Sequence, residues 1–379
     1  MTDVANPERL LFASTAQAFL DKEVPLSRIR EMHADNVSFD PAWWQRAAEL
    51  GWASLLVPEE LGGGSVSGDG VADLAMVAEQ LGRTVAPGPL HPVSTVLAGL
   101  VEAPEHHADT IEALVAGELV ASWAVYEPGG PWAPLTARLT ATPGDGGYRL
   151  DGIKDRVEAG AESGGFLVVA AVPGEGVRQF WVPADASGVR VEAQQSVDMV
   201  KRYARVRFDG VTVPVEAAVG SAEQTAAIVE RQSQVALILQ CAELVGILDT
   251  VFAFTVQWAF DRHTFGRPLA SYQALKHRFA DMKLWLEAVR ATTAAAVREV
   301  GAGGRRASLL AGIAKSYAGE RAPIILQDCV QLHGGIGVTW EHDLHLYLRR
   351  AILYRAMYGT PEDHNRAVYA HHSNRRTAS

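Results

Sequence analysis

The sequence predicts an α+β protein in which a helical region is followed by a β region and then by a second helical region. Apolar residues recur at helical spacing up to about residue 118. Short runs of alternating hydrophobicity, separated by turn residues, occupy residues 119–220. Long apolar helical segments fill residues 221–379. We therefore expect three domains, with ranges 1–118, 119–220 and 221–379.

The N-terminal region contains several helix signals. A first helix is predicted around Phe12–Leu20 from apolar residues at helical spacing. A second begins at Asp40 and Pro41, an N-cap followed by proline at the first helical position, and ends at Gly51. Further helices are predicted over 71–81 and 106–116. Between these two, helix resumes near Ser94 after a proline-rich turn.

The middle region contains seven candidate strands separated by glycine- and proline-rich turns. Strands this short and this closely spaced indicate a small barrel or sandwich. The predicted strands are Val120–Tyr126, Leu135–Thr142, Tyr148–Ile153, Phe166–Val172, Arg178–Val182, Val189–Ala193 and Ala204–Phe208.

The C-terminal region predicts long helices of the kind found in a four-helix bundle. The first, Ile228–Phe260, is mostly apolar and is expected to be buried on most sides. The others span 271–300, 307–332 and 344–357, with a fifth after Pro361. Arg349 and Arg350 lie within the fourth helix, where we expect a solvated face with buried stems.

Composition excludes several classes of protein. The formal net charge of −10 argues against nucleic-acid binding, which needs a basic face. The first residues lack the apolar core of a signal peptide, and no uninterrupted apolar run reaches the ~18 residues of a membrane span. The two cysteines, Cys241 and Cys329, lie in apolar helical segments and suit a reducing compartment. We therefore expect a cytoplasmic protein.

Two long motifs at matched spacing resemble the signatures of the acyl-CoA dehydrogenase family. Residues 261–282 read DRHTFGRPLASYQALKHRFADM, and residues 331–350 read QLHGGIGVTWEHDLHLYLRR. PEELGGG near residue 60 and YEPGG at residues 126–130 fall in family order, so the resemblance covers nearly the whole chain. Within the family, the second motif looks most like actinobacterial members that process sterol side chains and related bulky acyl chains.

The resemblance implies a site for FAD where subunits meet, with each bundle lending a pyrophosphate- and adenine-binding face to its neighbour's flavin. The chemistry of the residues agrees with this role. A guanidinium can bind phosphate oxygens in a fork, glycines let backbone N–H groups approach an anion, and a side-chain amide can donate and accept hydrogen bonds. The matching residues are Arg262, Thr264, Phe265, Gln273, Gln331, Gly334 and Gly335.

The family's usual catalytic base is missing from its expected position. The family reaction removes a proton α to the acyl-CoA thioester carbonyl, in many members with a glutamate directly before a Gly-Thr pair. Here Tyr358 precedes Gly359 and Thr360, and a phenol with a reference pKa of about 10 is a poor base. Other members carry the glutamate on the first bundle helix, where this chain has Ala236. Glu243 lies about two turns further along that face and is a weak substitute.

The resemblance also implies that this chain has lost its own half of the flavin site. Family members usually place a tryptophan-x-threonine against the flavin ring, whereas this chain has Arg156 and Glu158 there. The family's serine-bearing loop reads GGPWAPL at residues 129–135. The pattern resembles the non-catalytic chain of heterotetrameric sterol-degrading relatives, which completes the FAD site of a related partner chain.

Three alternatives remain open from the residues. The chain could form a self-sufficient homo-oligomer whose base is Glu243 or Tyr358, or it could be a non-enzymatic scaffold of the same fold. His333, His342, Asp343 and His345 could also hold a metal. Histidines beside a glycine turn are more commonly hydrogen-bonded or solvated, so we predict no metal site.

Overall fold

The computed structural model describes residues 7–377, with side chains as far as residue 373. Between residues 7 and 120 the chain is helical, as predicted. The six α-helices of this stretch are α1 (Pro7–Glu23), α2 (Leu26–Ala34), α3 (Pro41–Glu49), α4 (Gly70–Thr84), α5 (Leu90–Leu100) and α6 (Ala108–Val115).

The helix ends in this region show where local sequence signals predicted a helix boundary correctly and where they did not. The predicted N-cap of α3 is confirmed, because the Asp40 side chain accepts a hydrogen bond from the Ala42 amide at 3.0 Å. Helix α5 begins at Leu90, four residues before the predicted start at Ser94. Pro92 lies in its first turn, where a missing N–H breaks no helical hydrogen bond. Helix α2 was not predicted, because Ile29 and Met32 are its only buried residues.

The middle region is one curled mixed sheet. It contains seven strands, β1 (Ala121–Ala124), β2 (Thr140–Gly144), β3 (Gly147–Glu158), β4 (Gly165–Val172), β5 (Gly176–Pro183), β6 (Val189–Gln194) and β7 (Tyr203–Pro214). The strand order is β1-β4-β2-β3-β7-β6, and β5 pairs with β4. All seven predicted strands are present, although β2 begins at Thr140, five residues after the predicted start at Leu135. They form a single sheet, in which β1 and β4 run parallel.

The longest strand pair of the sheet, β3 with β7, is irregular near the candidate site. The antiparallel register shifts between Leu150 and Asp151 and again between Lys154 and Val157. At the second shift Arg156 has a φ of +51°, a left-handed conformation that is uncommon for a residue with a side chain. Bulges of this kind redirect side chains, and this one turns Arg156 toward the sheet's end at Tyr126.

The C-terminal region is a bundle of long helices. Its elements are α7 (Ala222–Asp261), the short hairpin β8 (His263–Thr264) and β9 (Arg267–Pro268), α8 (Gln273–Gly301), α9 (Ala307–His333), α10 (Leu344–Ala356) and α11 (Pro361–Thr377). Helix α7 begins with a capping box, in which the Ser221 and Gln224 side chains each bind the other's backbone amide. The predicted order of helical, β and helical regions is confirmed. The division at residues 118 and 220 stays a prediction.

The N-terminal helices and the bundle share one hydrophobic core, and a second core lies within the sheet around Phe166, Phe180 and Phe208. Helices α4 and α7 cross closely at two glycines. A Cβ on Gly82 would collide with the Glu243 carbonyl, and a Cβ on Gly246 would collide with the Glu79 carbonyl. Only glycine permits this approach of the two backbones.

Helix α7 is long and apolar enough to cross a membrane by length and composition, with a mean hydropathy of 1.9 over its most apolar 18 residues. In the fold, 83% of that window is buried. The buried core helix of a globular bundle passes the same test of length and composition. Elsewhere in residues 7–377, no helix meets it.

Candidate functional site

The turn between α10 and α11 holds Tyr358 in an unusual backbone conformation. Tyr358 has a φ of +58° and Gly359 a φ of +91°. The turn is fixed from both sides. Asp363 Oδ2 accepts hydrogen bonds from the Thr360 amide at 2.9 Å and from its hydroxyl at 3.0 Å, and the His364 Nε2 atom lies 2.9 Å from the Tyr358 carbonyl oxygen. The backbone therefore keeps a rigid turn whose central side chain points inward.

The Tyr358 side chain, 5% exposed, fills a cluster of aromatic rings. It stacks against Trp123 with ring centroids 6.4 Å apart and meets Trp132 edge-on at 5.4 Å. Tyr126 lies 6.1 Å away, and its hydroxyl oxygen accepts a hydrogen bond from the Tyr358 amide. Burial raises the pKa of Tyr358 well above its usual range, and the negative charge of Glu158 adds to the effect. Tyr358 is therefore placed as a packing residue and is neutral at pH 7.

Arg156 and Glu158, on the neighbouring strand β3, are engaged in structural contacts. The Arg156 guanidinium lies 4.2 Å from the centre of the Tyr126 ring and donates to the carbonyls of Glu127 at 3.2 Å and Gly130 at 3.1 Å. Glu158 is buried and pairs with Lys201 at 2.8 Å. Both residues thus join segments of the middle region to one another.

Glu243 is committed to a buried ion network. Arg350 pairs with Glu243 and with Asp198, the Tyr354 hydroxyl donates to Glu243 at 2.6 Å, and His91 Nε2 lies 2.9 Å from the same carboxylate. Burial opposes its ionisation, but the charges of Arg350 and Lys201 hold the pKa of Glu243 well below its usual range. Both oxygens of the carboxylate are occupied by these partners, and the suggestion that Glu243 acts as a substitute base stays a prediction.

Arg350 also departs from the sequence prediction. It was expected on a solvated face, but its side chain is 0% exposed and carries the network's only guanidinium. Burying a charge is unfavourable unless it is paired, which explains its two carboxylate partners. Arg349, its neighbour on α10, is half-buried and donates to the Val197 carbonyl at 3.1 Å.

The seven residues that resemble the family's cofactor-binding set lie at one end of the bundle. We call this set the bundle cradle. Arg262 follows α7, and Phe265 and Gly266, with φ of +53° and +79°, form the tight turn of the β8–β9 hairpin. Phe265 is 94% exposed. The Tyr272 hydroxyl donates to the Thr264 carbonyl at 2.7 Å and so ties the hairpin to the start of α8, where Gln273 lies.

The end of α9 completes the bundle cradle. The Trp258 indole N–H donates to the Leu332 carbonyl at 3.2 Å, and the Trp258 ring stacks on His333 with centroids 5.1 Å apart. These contacts join the end of α7 to the end of α9. Gly334 and Gly335 follow directly and are exposed, and no atom lies within 4 Å of a Cβ position on either residue. The backbone here is therefore open to a ligand.

The histidines near Gly334 bind the backbone. His333 Nδ1 lies 2.8 Å from the Cys329 carbonyl oxygen, His342 Nδ1 accepts from the Leu344 amide at 3.1 Å, and His345 Nε2 lies 3.2 Å from the Trp340 carbonyl oxygen. Burial lowers the pKa of all three. In the described part of the chain, residues 7–377, no three histidine, cysteine, aspartate or glutamate side chains are grouped to hold a metal.

Sequence reasoning missed the aromatic cluster and the buried ion network. Trp123 and Trp132 lie in the middle region and Tyr358 in the C-terminal region, so no local pattern joins the three. For Arg350 a signal was available, because apolar residues flank it on α10 at Leu346, Tyr347 and Leu353. A charge within such a face indicates a buried, paired group.

Comparisons with known proteins agree on one family. Two family models match, the N-terminal domain of acyl-CoA dehydrogenases at residues 6–104 and the C-terminal domain at residues 228–372. The acyl-CoA dehydrogenase IpdE2 of Mycobacterium tuberculosis is 30% identical over 346 residues, which are 91% of this chain and 91% of that protein. IpdE2 of Mycolicibacterium smegmatis is 29% identical over 365 residues, which are 96% of this chain and 98% of that protein.

Solved structures extend the likeness to the whole fold. The structure described as the Tcur3481-Tcur3483 steroid ACAD has a TM-score of 0.88 and 26% identity, and the match covers 98% of this chain and 99% of the solved one.

Proposed function

This chain belongs to the acyl-CoA dehydrogenase family, whose members are FAD-dependent oxidoreductases, and from that premise we propose that it is the non-catalytic chain of a two-chain acyl-CoA dehydrogenase. A related partner chain carries the base that removes the α proton of the acyl-CoA thioester. This chain supplies the bundle cradle for the partner's FAD within a heterotetramer. We expect the complex to act in the cytoplasm.

The observation that carries the proposal is the placement of Tyr358. It occupies the position before Gly359 and Thr360 where many family members have their glutamate, and it is packed among Trp123, Tyr126 and Trp132. A neutral phenol with a raised pKa is a poor proton acceptor at pH 7.

Only one of the chain's two flavin-facing parts fits FAD. In the sheet, the Arg156 guanidinium covers the Tyr126 ring and binds the Gly130 carbonyl, so the position that faces the flavin ring in relatives is occupied by a cation held to the protein. The bundle cradle offers the exposed Arg262 guanidinium and the open backbone at Gly334, which suit a pyrophosphate. FAD held there would supply the acceptor for the hydride that leaves the β carbon of the acyl chain.

The exposed bundle cradle supports the need for a partner. Phe265 is 94% exposed at the hairpin tip, an unfavourable place for an aromatic ring unless another surface covers it. The two chain names in the Tcur3481-Tcur3483 steroid ACAD describe an enzyme of two different chains. We extend this arrangement to the present chain, together with a substrate of the same class, an acyl-CoA with a sterol-derived body.

The first test compares the full-length chain alone with the chain co-expressed with a related acyl-CoA dehydrogenase chain from the same genome. Alone, it is expected to purify without flavin absorption and without acyl-CoA oxidation. The complex is expected to contain half as many FAD molecules as chains and to oxidise acyl-CoA. A yellow, active lone chain would favour a self-sufficient homo-oligomer, and a complex without flavin would favour a scaffold.

The second test uses two neighbouring arginines of the same hairpin region. Arg262→Gln in the complex is expected to weaken FAD retention about tenfold or more, because a charge-assisted contact contributes about 1.5–3 kcal/mol. Arg267→Gln is the matched control, since Arg267 is also exposed but stacks on Tyr272 at 3.9 Å. Equal loss of FAD in both variants would contradict the role given to Arg262.

A further inference from the structure

The loop between α9 and α10, residues 334–343, carries the open glycine pair of the bundle cradle but has almost no core of its own. Of its ten residues only Gly337 is buried. Three apolar side chains of the loop are exposed, namely those of Ile336, Val338 and Trp340. Hydrophobic burial therefore contributes little to the position of this loop, which depends instead on polar contacts with the elements around it.

The first half of the loop is one compact unit that is held at its near end. It begins with a short helical turn, Gly334–Val338. The amide and the hydroxyl of Thr339 both donate to the Ile336 carbonyl, at 3.1 and 3.0 Å, and so extend the turn by one residue. At the near end, the Trp258 indole N–H donates to the Leu332 carbonyl at 3.2 Å. The position of the turn therefore depends on what holds the other end of the loop.

The far end of the loop is held by Arg30 of helix α2. The Arg30 Nη1 atom pairs with Asp343 Oδ1 at 2.7 Å. The Nη2 atom donates to the carbonyls of Trp340 and Glu341, both at 3.3 Å, and the Nε atom donates to the Trp340 carbonyl at 3.4 Å. A guanidinium can make these contacts together because its five N–H groups are fixed in one plane. One side chain of the N-terminal region thus binds three residues of the loop.

Helix α2 presents one face to the loop and another to the core. His33 follows Arg30 by three residues and so lies on the same face of the helix, with its ring centroid 6.3 Å from that of Trp340. The core face buries only Ile29 and Met32. The helix therefore contacts the loop with as many side chains as it buries in the core.

We propose that Arg30 is a positioning residue for the cofactor. It holds the α9–α10 loop so that the backbone of Gly334 and Gly335 keeps the shape that receives the adenine end of the partner chain's FAD. This inference rests on the proposed function and adds to it a role for the N-terminal helices. Without the Arg30 guanidinium the loop is held at its near end only. FAD then binds more weakly, because the loop must be ordered when the cofactor binds.

The first experiment measures the dissociation constant of FAD in the two-chain complex, from the flavin fluorescence that appears on dilution. Arg30→Gln is expected to raise this constant about fivefold, a modest change because the ion pair with Asp343 is partly exposed. Arg30→Lys, which can keep the ion pair but lacks the planar fork, should give about a twofold change. Arg28→Gln is the matched control. Arg28 lies on the same helix and pairs with Glu31 at 2.9 Å on the surface, so FAD should bind as in the natural complex.

Two fragments of the cofactor separate a positioning role from a general loosening of the complex. ADP carries the adenine end of FAD, and FMN carries the flavin end. Each is used as a competitor of FAD in the natural complex and in the Arg30→Gln variant. We expect the variant to bind ADP about fivefold more weakly and FMN as before. Equal weakening of ADP and FMN would overturn the inference.

A second measurement uses the full-length chain alone and needs neither flavin nor a partner. Amide hydrogen exchange in residues 333–343, followed by mass spectrometry, should be several-fold faster in Arg30→Gln than in Arg28→Gln, because the loop opens more often. Unchanged exchange in this segment, or unchanged FAD binding by the Arg30→Gln complex, would overturn the inference. A natural complex that contains no FAD would contradict the proposed function and, with it, the cofactor role of Arg30, whatever the exchange rates are.

Discussion

The guanidinium of Arg350 and the carboxylate of Glu243 form an ion pair in which neither side chain reaches solvent, with exposures of 0% and 1%. The pair joins α10 to α7, and Asp198, in the segment between β6 and β7, binds the other edge of the same guanidinium. All three regions of the chain meet here, because His91 of α5 lies against the Glu243 carboxylate. Since α10 leads directly to Tyr358, the ion network also fixes the position of the turn.

Arg350→Met is expected to destabilise the protein by about 3–5 kcal/mol, because it leaves the carboxylates of Glu243 and Asp198 buried without their cation. The measurement is the free energy of unfolding in urea at pH 7. Arg349→Met is the matched control on the same helix. Arg349 contacts only the Val197 carbonyl in the described structure, so the expected loss is about 1 kcal/mol or less. Similar losses in the two variants would contradict the importance of the buried pair.

Tyr358→Phe is expected to leave the acyl-CoA oxidation rate of the two-chain complex unchanged within about twofold, since the ring still packs against Trp123 and Trp132. The comparison is Tyr126→Phe, which removes the hydroxyl that accepts from the Tyr358 amide and should reduce the free energy of unfolding by about 1–3 kcal/mol. A large loss of turnover in Tyr358→Phe, with normal stability, would instead identify Tyr358 as a catalytic residue.

Lys315 makes stability depend on pH. Its ammonium group is fully buried, donates to Gln240 Oε1 at 2.8 Å and to the Tyr354 carbonyl, and burial lowers the pKa of Lys315 to about 7. The unfolded chain keeps this proton up to about pH 10.4. Between pH 7 and 8.5 the unfolded state therefore binds more protons, and this residue's contribution to stability rises with pH by up to about 1.4 kcal/mol per unit.

The check is the free energy of unfolding of the natural chain minus that of Lys315→Met, measured across pH 7 to 8.5. The difference should rise with pH. Both chains contain Cys241, whose pKa burial raises to about 12, so the opposite slope that its unfolded thiol gives above about pH 8.5 cancels from the difference. Lys283→Met is the control, because Lys283 is exposed and pairs with Glu287. A flat difference for Lys315→Met would contradict the assignment.

The order of helical, β and helical regions was predictable because each region is marked by local sequence signals. The Asp40 cap and the 40-residue apolar helix α7 each appear within a single stretch of sequence. The residues of the bundle cradle also come from local motifs, Arg262 and Phe265 from one and Gln331 and Gly334 from another, and their role in binding FAD stays a prediction. Their meeting at one end of the bundle follows from the antiparallel course of α8 and α9, in which Arg278 pairs with Asp328.

The contacts that close the candidate site were not predictable in this way. In the sequence, Arg350 is one of two adjacent arginines on a predicted helix. Only the fold shows that it forms ion pairs with Glu243 and Asp198. Trp132 lies shortly after a glycine pair, which is typical of a flexible loop. Its ring nevertheless packs edge-on against both Trp123 and Tyr358. These arrangements depend on the packing of three regions against one another, which hydrophobic periodicity does not encode.

The close crossing of α4 and α7 at two glycines has a consequence for how the protein unfolds. Because Gly82 and Gly246 bring the two backbones into direct contact, no layer of side chains separates the N-terminal helices from the bundle. The two regions cannot slide or hinge at this point without breaking the shared core. They should therefore melt together, and a scanning calorimeter should record a single heat-absorption peak for both.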